Sequence, residues 1–423
     1  MLLVPAVAGA TVLQPLQPLL DAAEEGATLV LAPGTYSGPV VVDKPIVIDG
    51  GNQATIDAGG KGTVILLDTD GATIKNLRIT NSGESHNDID AGVQIRGKFN
   101  VVKDNIIDNC LFGVDLQQSN NNVVRNNTIS SKPFDLGQRG DSVRLWYSFN
   151  NKVTDNRISG VRDMVVWYSA DNELSRNTSS GSRYSLHFMY SRHNLVEDNR
   201  YYNNTVGIFL MYSDGITVRN NHIAHAAGPT GGGIGFKETS DLTIENNEVL
   251  YCATGLYIDV SPYQPGTTNR FSGNLVAYNG IGVRFLNDWT GNIFKQNQFV
   301  DNLTQVVVSG GKTANRNVWE GNDWSDYEGF DLDQDGVGDK PYELYAYADR
   351  LWQDQLYAQF FKGSPLLEVL DFLERLAPFS EPDMLVRDDV PYKHKLAKVA
   401  AEKEQTEEEQ PDALSLLRKS LKN

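Results

Sequence analysis

Four consecutive segments of the chain contain the same three-residue phrase, a tryptophan or methionine followed by tyrosine and serine. Its first residues are Trp146, Trp167, Met189 and Met211, at spacings of 21, 22 and 22 residues. A phrase that recurs at such a period indicates one structural unit stacked on itself, which makes equivalent residues neighbours in space. We therefore predict that Met189 and Met211 lie side by side. His187 precedes Met189 by two residues, so its side chain is predicted to point from the same strand face.

This cluster of one imidazole and two thioethers has the chemistry of a soft-metal site. Soft sulfur ligands combined with imidazole favour Cu(I) over Zn(II) or Mg(II), and a neighbouring indole can add a cation–π contact. His187, Met189 and Met211 are thus candidate ligands of a transiently bound Cu(I) ion. The alternative is an apolar docking patch for a partner protein, and the two interpretations are compatible. The predicted docking surface consists of Trp146, Trp167, Tyr168, Tyr190 and Tyr212.

A second candidate metal site is the acidic loop at residues 331–343. Its aspartates occupy positions 1, 3, 5 and 9 of a D-x-D-x-D-G pattern, and they are Asp331, Asp333, Asp335 and Asp339. That spacing suits a hard, oxygen-liganded cation such as Ca(II). Tyr342 replaces the glutamate expected at position 12, and helices are not predicted on both sides, so the loop is not an EF-hand. The alternative is an acidic, glycine-rich turn that closes the fold.

Asparagines mark the same period along most of the chain. They end short runs of alternating apolar and polar residues, which is typical of short strands joined by tight turns. Such strands at a period of about 22 residues predict an all-β fold, a right-handed parallel β-helix with about three strands per coil. Asparagines stacked at the turns can hydrogen-bond from coil to coil, so their role is interpreted as structural. The markers are Asn76, Asn105, Asn127, Asn156, Asn177, Asn199, Asn221, Asn247, Asn274, Asn297 and Asn322.

Alignment of the four coils on their Tyr-Ser dipeptides predicts which side chains face the core. Apolar residues at alternate positions are expected inside, and they are Val143, Leu145, Met164, Val166, Leu186, Phe188, Ile208 and Leu210. One outward column is expected to contain Arg144, Val165, His187 and Phe209. A second outward column is expected to contain the tryptophans and methionines of the phrase, and Glu238 is expected to extend it by one coil.

Changes of composition divide the chain into segments. They are a signal-peptide remnant (residues 1–10), the β-helix (11–330), the acidic closing loop (331–343), a helical C-terminal region (344–380) and an extended, charged tail (381–423). A short amphipathic helix at residues 16–26 is predicted to cover the first strand edges. Helices at residues 350–361 and 365–377 are expected to cap the last coil or to dock on a membrane partner.

Charge and cysteine content exclude several functions. The chain of 423 residues has a net charge of −17, which argues against binding to nucleic acid or anionic lipid. It contains no run of 18 apolar residues, so a membrane-spanning helix is not predicted. Cys110 and Cys252 are separated by about six coils, or roughly 29 Å, whereas a disulfide needs Cα atoms within about 7 Å. No bridge is predicted.

The stacked Trp/Met-Tyr-Ser coils, the phrase HFMYS at residues 187–191 and the phrase DLDQDGVGDKPYEL at residues 331–344 together resemble the NosD family. The first coils, at residues 27–51, are similar to those of the pectin-lyase-like β-helix superfamily. The NosD resemblance implies a periplasmic β-helix partner of an ABC transporter. It also implies a role in maturation of the copper–sulfur centre of nitrous oxide reductase.

The resemblance implies a set of partners as well. They are an ABC transporter permease and, through it, the ATPase subunits, a membrane-anchored copper chaperone, and nitrous oxide reductase. The chain has no GxxxxGK[ST] motif, so ATP hydrolysis is assigned to the transporter, and no enzymatic activity is expected here. The alternative is a carbohydrate-binding or polysaccharide-processing β-helix. The clustered carboxylates that such catalysis needs are not found on the predicted outward columns of the middle coils.

Overall fold

The computed structural model describes residues 13–228, 231–309, 313–346, 364–365, 369, 372–373 and 383–393. Over this part the chain winds into a right-handed solenoid of about 13 turns with very little helix. Strands of successive turns pair in parallel, because each turn returns the chain to the same side of the solenoid. The predicted fold class, a right-handed parallel β-helix, is therefore confirmed.

One face of the solenoid is a twelve-stranded parallel sheet. Its strands are Val40–Val42, Ile65–Leu67, Ala91–Ile95, Phe112–Gln117, Val143–Trp146, Asp163–Trp167, Tyr184–Met189, Val206–Met211, Gly232–Lys237, Thr254–Asp259, Ile281–Phe285 and Thr304–Val308. Each Trp/Met-Tyr-Ser phrase begins at the last residue of its strand. The first residues of the phrase therefore stack along one end of this sheet.

The remaining sides of the coil form a 25-stranded sheet. The long strands Val47–Asp57 and Thr73–Thr80 run through both of its halves. One half also contains Thr28–Val30, Val101–Lys103, Val123–Arg125, Lys152–Thr154, Glu173–Ser175, Leu195–Glu197, Thr217–Arg219, Thr243–Glu245, Asn269–Ser272, Asn292–Lys295 and Val318–Glu320. The other half contains Gln14–Pro15, Gly34–Ser37, Ile106–Cys110, Thr128–Ser131, Arg157–Ser159, Thr178–Ser180, Arg200–Tyr202, His222–Ala224, Glu248–Leu250, Leu275–Ala277, Gln298–Val300 and Asp323–Trp324.

Apolar side chains from all three sides fill the interior of the solenoid. The eight residues predicted to face inward on the middle coils are at most 1% exposed, which confirms the alternation. Val165 is buried as well, although it lies in the predicted outward column. Cys110 and Cys252 are buried and unpaired, and burial raises the pKa of each thiol to about 12.

Buried asparagines form a ladder along one turn of the solenoid. From Asn105 to Asn322, each side-chain amide donates to the Oδ1 atom of the next asparagine at 2.9–3.1 Å. The same Oδ1 atoms accept backbone N–H groups, so the turns are held by side chains where the sheet hydrogen bonds stop. The structural interpretation of these asparagines is supported. Asn76 differs, because its amide donates to Asp49 instead.

The N-terminal end is closed by the short helix Gln17–Ala22. The side-chain amide of Gln17 donates to the carbonyl of Val41 at 3.0 Å and accepts its N–H at 2.8 Å, which pairs the exposed edge of the twelve-stranded sheet. Leu20 of this helix is buried in the core. The predicted cap is present, although its helix is shorter than the predicted segment. The only other helical turn between residues 13 and 228 is the 3-10 turn Leu136–Gln138.

The C-terminal end is closed by an antiparallel pair of strands, Tyr342–Ala346 and Asp383–Asp388. Asp388 is fully buried, and its carboxylate accepts the backbone and side-chain N–H groups of Asn322, both at 2.9 Å. The predicted charged tail at residues 381–423 therefore begins with a strand that belongs to the fold. The segment forms a strand here because it pairs with Tyr342–Ala346 and buries Leu385 and Val386, and its last carboxylate closes the asparagine ladder.

Several predicted segments fall outside the described residues. They include the signal-peptide remnant at residues 1–10, the helix at residues 350–361 and the tail beyond residue 393. Of the second predicted helix, residues 365, 369, 372 and 373 are described, and all four are helical. Across the described ranges, no helix combines the length and the apolar character that crossing a bilayer requires.

Candidate metal centre

The candidate copper ligands lie on two adjacent strands of the twelve-stranded sheet, Tyr184–Met189 and Val206–Met211. Met189 is paired directly with Met211 in the ladder between these strands. The Nε2 atom of His187 lies 3.2 Å from the Sδ atom of Met211. The three residues singled out in the sequence are therefore neighbours on one outward face.

Aromatic and apolar side chains enclose the imidazole of His187. The ring of Tyr184 stacks on it with centroids 4.9 Å apart, and the indole of Trp167 meets it edge-on at 5.8 Å. Val165 and Phe209 flank His187 on the neighbouring strands. His187 is consequently only 7% exposed.

This enclosure determines the protonation state of His187. Burial lowers the pKa of the imidazole from 6.5 to about 4, while Asp163 raises it and Arg183 and Arg162 lower it further. The side chain is therefore neutral at pH 7. Within the described part of the chain, its Nδ1 atom and the Nε1 atom of Trp167 are buried without hydrogen-bond partners. Buried polar atoms normally have partners, and ordered water or a bound group is what usually satisfies such atoms.

Tyr184 is a neighbour of the candidate ligands that the sequence did not reveal. Asp163 pairs with Tyr184 and Val165 pairs with His187, so the single residue Met164 on one strand opposes two residues, Ser185 and Leu186, on the next. This bulge turns Tyr184 to the face of His187, against the regular alternation. The carboxylate of Asp163 accepts the N–H of Tyr184 at 3.1 Å and the Nε–H of Arg183 at 3.0 Å. The guanidinium of Arg183 lies 5.0 Å over the tyrosine ring.

The donor set of this cluster is soft and uncharged. Metal–nitrogen and metal–sulfur bonds of about 2.0 and 2.3 Å place two ligand atoms of one ion roughly 3–4 Å apart. The 3.2 Å between His187 Nε2 and Met211 Sδ is compatible with two atoms that share an ion. Both methionines are half-buried, so each residue is partly exposed on the outer face of the solenoid. The residues present therefore fit a soft monovalent cation.

The tyrosines of the repeated phrase form a continuous stack beside this cluster. Neighbouring ring centroids are 4.9, 5.2 and 4.9 Å apart, with interplanar angles of 8, 12 and 14°. All four residues have φ between 48 and 52°, which is uncommon for a bulky side chain and is imposed here by the repeated turn. The stack consists of Tyr147, Tyr168, Tyr190 and Tyr212. Tyr147 extends the predicted docking surface by one ring.

The tryptophans and methionines form one outward column, as predicted. Trp146 pairs with Trp167, Trp167 with Met189, and Met189 with Met211. The predicted extension of this column by Glu238 is wrong, because Met211 pairs with Lys237. Glu238 instead occupies the turn after the strand, at φ 48°, where the preceding coils have their tyrosines.

The acidic loop brings three of its four aspartates together. Asp331, Asp333 and Asp335 each place a carboxylate oxygen within 4.8 Å of the other two. Asp339 has a different contact, because its carboxylate accepts the backbone N–H of Leu332 at 2.7 Å. The loop therefore offers a group of three carboxylates, with the fourth aspartate bracing the backbone around it.

Comparison with known proteins identifies the family of the chain. The family described as periplasmic copper-binding protein (NosD) matches residues 127–329, and right handed beta helix region matches residues 50–148. A protein of Pseudomonas aeruginosa named probable ABC transporter binding protein NosD is 30% identical over 379 residues, covering 82% of this chain and 84% of the relative. The chain belongs to the NosD family. A relative of the same name from Stutzerimonas stutzeri is 26% identical over 412 residues, covering 90% and 89%.

The predicted NosD resemblance is thus confirmed, and the family is described as periplasmic. Both relatives bear the name probable ABC transporter binding protein. Solved structures similar to the chain include the catalytic domain of a GH87 α-1,3-glucanase, with a TM-score of 0.50 and 14% identity, covering 70% of this chain and 65% of that domain. Another is the A-module of mannuronan C-5 epimerase AlgE4 from Azotobacter vinelandii, with a TM-score of 0.48, 14% identity and coverages of 70% and 91%. These likenesses concern the fold alone.

Proposed function

We propose that this NosD protein binds Cu(I) transiently through His187, Met189 and Met211 and passes it on during assembly of the copper–sulfur centre of nitrous oxide reductase. Copper is the cargo in this proposal and not a resident cofactor. The observation that carries it is the buried, neutral imidazole of His187, whose Nε2 atom lies 3.2 Å from the Met211 sulfur. A neutral imidazole offers its lone pair without competition from a proton at pH 7.

The chemistry of the ligands favours transfer over storage. Thioethers and a neutral imidazole add no negative charge, so they hold Cu(I) less firmly than thiolates do. His187 is fixed between aromatic rings, whereas Met189 and Met211 have flexible side chains that can follow the ion during ligand exchange. In this division of roles the imidazole orients the ion and the two thioethers exchange it.

We further propose that partners reach the site over the tyrosine stack. Tyr190 follows Met189 and Tyr212 follows Met211 directly, so a partner that contacts the thioethers also contacts these rings. The partners in this proposal are a membrane-anchored copper chaperone as donor and nitrous oxide reductase as acceptor. Exposed aromatic surfaces are typical of interfaces. Replacement of Tyr190 by alanine is expected to weaken binding of the chaperone without loss of Cu(I) affinity, and unchanged binding would contradict this docking role.

The transporter contact is proposed for the C-terminal region at residues 344–380, which was predicted to be helical but begins within the closing strand Tyr342–Ala346. The described helical residues Val369, Phe372 and Leu373 are 53%, 59% and 50% exposed, so they present an apolar surface. The expected partner is the permease, and through it the ATPase subunits. Substitution of Phe372 and Leu373 by aspartate should reduce co-purification with the permease and leave Cu(I) binding intact. Retained co-purification would assign this region to capping.

The copper proposal is tested by an anaerobic Cu(I) competition titration. The wild-type chain is expected to bind one equivalent tightly, and the double variant Met189→Leu/Met211→Leu is expected to lose that affinity while keeping its fold. Met164→Leu is a matched control, because Met164 lies in the same sheet but is buried in the core. Unchanged affinity in the double variant would refute the ligand assignment, and loss in the control would attribute the effect to packing.

Catalysis on polysaccharides is the weaker alternative. Asp115 lies on the outward side of the same sheet, but its carboxylate is fully buried and accepts from Arg144 at 2.7 Å and from Gln94 at 3.0 Å. A carboxylate that is buried and held by two donors in this way is a poor general acid or base. We therefore propose a non-enzymatic role. Carbohydrate binding by the tyrosine stack remains as an alternative. Titration of the wild type and of Tyr190→Ala with oligosaccharides would reveal it as binding that is lost in the variant.

We also propose that the acidic loop holds Ca(II) through Asp331, Asp333 and Asp335. Three carboxylates within 4.8 Å of one another provide oxygen ligands of the kind Ca(II) uses. Asp339 is assigned a supporting role, since its carboxylate holds the backbone N–H of Leu332. The ion would tie down a loop that lies next to the closing strand pair.

A further inference from the structure

A shallow basic groove lies on the 25-stranded sheet, away from the candidate metal centre. It has a volume of about 430 Å³. One column of its lining is basic, because Lys75 pairs with Lys103 and Lys103 pairs with Arg125 on successive strands. A parallel column two residues earlier on the same strands is half-buried, and it consists of Thr73, Val101 and Val123. The groove thus has a cationic side and an apolar floor.

The fold does not require three positive charges next to one another in this groove. Like charges directly opposite on neighbouring strands are destabilising, yet three cations follow one another here in a chain of net charge −17. Later coils pair opposite charges on the same two columns, in Lys152–Glu173, Arg219–Glu197 and Lys295–Glu320 at 3.1, 2.7 and 2.7 Å. The like-charged arrangement is therefore specific to this groove, and an anionic partner would relieve it.

The cations of the groove are only partly neutralised. Lys75 is 3.0 Å from Asp49 at one end, and Lys103 is 3.8 Å from Asp104. Arg125 has no ion-pair partner among the described residues, and it is exposed. Charge complementarity therefore favours an occupant with anionic groups such as carboxylates, and the two valines favour apolar groups beside them.

The spacing of the groove selects the form of that occupant. Its lining residues stack across strands about 4.8 Å apart. Side chains three or four residues apart on an α-helix are about 4.5–6 Å apart along its axis, whereas side chains on one face of an extended strand repeat at about 6.6–6.8 Å. A helix that lies along the solenoid axis therefore matches the groove better than a strand. The lining contains no aromatic ring on which a sugar could stack.

We propose that this groove, built from Lys75, Lys103 and Arg125 beside Val101 and Val123, is a docking site for an acidic amphipathic helix of a partner protein. Its carboxylates, at every third or fourth position, meet the three cations, and its apolar stripe covers the valines. The helix covers about 14 Å of the solenoid, which corresponds to roughly ten residues. The groove is independent of the copper proposal, because it lies on a different sheet.

The test uses the full chain and a fluorescent synthetic peptide of about 15 residues, with leucines on one helical face and glutamates beside them. Fluorescence anisotropy is expected to show binding, and the variant Lys75→Gln/Lys103→Gln/Arg125→Gln is expected to lose about tenfold or more in affinity. The control is Lys152→Gln/Arg219→Gln/Lys295→Gln, which removes the same number of charges from matched positions on the same sheet. Its affinity for the peptide is expected to stay near that of the wild type.

Three results would overturn the proposal. Equal losses in both triple variants would show that only net charge matters. If polygalacturonate oligomers bind more tightly than the peptide and the groove variant loses this binding, the groove is a site for an anionic saccharide. No binding of the peptide at low ionic strength would remove the helix site altogether. Val101→Thr/Val123→Thr should lower the affinity for the peptide without changing how that affinity depends on salt concentration. The circular dichroism spectrum of each variant verifies that the solenoid is intact.

Discussion

The ring of Tyr184 stacks on the imidazole of His187 at 4.9 Å, although the two residues are three positions apart on one strand. Regular alternation would point them to opposite faces. The bulge against the strand Asp163–Trp167 reverses the orientation of Tyr184 and so covers the imidazole. Asp163 then holds both the backbone of Tyr184 and the side chain of Arg183 in place. Burial is the main cause of the low pKa of His187, and the ring of Tyr184 contributes to that burial.

Removal of the tyrosine ring is expected to raise the pKa of His187. In Tyr184→Ala, water reaches the imidazole, so its pKa should move from about 4 towards the ordinary value of about 6.5. Tyr184→Phe keeps the ring and should keep the low pKa. The measurement is an NMR titration of the histidine Cε1–H signals, with His187→Gln used to assign the resonance. An unchanged pKa in Tyr184→Ala would show that the stacked ring does not exclude water.

The sequence predicted the regular part of this site and missed the irregular part. The repeat period and the alternation were sufficient to place Met189 beside Met211 and His187 on the same face, because both are properties of a regular parallel sheet. The position of Tyr184 depends on one extra residue in the ladder, which leaves no periodic signal. Glu238 was misplaced for a related reason, since the insert before residue 232 changes the count of residues between coils.

The stability of the protein should depend on pH through His187. Its pKa is about 4 when folded and about 6.5 when unfolded, so the unfolded chain binds more protons between these values and the free energy of unfolding rises with pH across that window. The stability that depends on neutral His187 is fully present above pH 6.5 and is lost as the pH falls towards 4. Its size is on the order of 3 kcal/mol. Asp141 acts in the opposite direction, because burial raises its pKa from 3.8 to about 6.

Comparison of two chains isolates the histidine in this measurement. Urea unfolding at about pH 7 and about pH 4.5 should show a larger loss of stability for the wild type than for His187→Gln. Asp141 is present in both proteins, so its effect cancels in the difference. Equal losses in the two proteins would mean that His187 is as accessible to protons in the folded chain as in the unfolded chain.

Asp388 is expected to contribute to stability as the acceptor that ends the asparagine ladder. Asp388→Ala leaves the buried N–H groups of Gly321 and Asn322 without an acceptor, and each such group costs about 1–3 kcal/mol. A total loss of about 3 kcal/mol is expected from chemical unfolding. Asp388→Asn retains one acceptor oxygen, as the asparagines of the other coils do, and should lose less. An unchanged stability in the alanine variant would show that the closing strand contributes little in solution.

The role of Asp388 could not be predicted from the sequence, for a reason different from the one that applies to the bulge. A ladder of buried amides requires a terminal acceptor, and the run of asparagines up to Asn322 was evident from the period. The acceptor lies 66 residues further along the chain, in a segment whose charge is typical of a tail. Local composition carries no information about such a distant contact, so the sequence could predict that the ladder ends but not which residue ends it.

Calcium is expected to stabilise the chain through the acidic loop. An ion that binds only the folded state at a concentration of about 100 times its dissociation constant adds about 2.7 kcal/mol, so the unfolding temperature should rise in calcium relative to a chelator. Asp333→Asn removes one of the three clustered carboxylates and should abolish most of the rise. Asp339→Asn is the matched control, because it removes the same charge from the same loop and keeps an oxygen that can accept the N–H of Leu332. Equal unfolding temperatures of the wild type in calcium and in chelator, with no heat of binding by calorimetry, would leave the loop as an acidic turn without an ion.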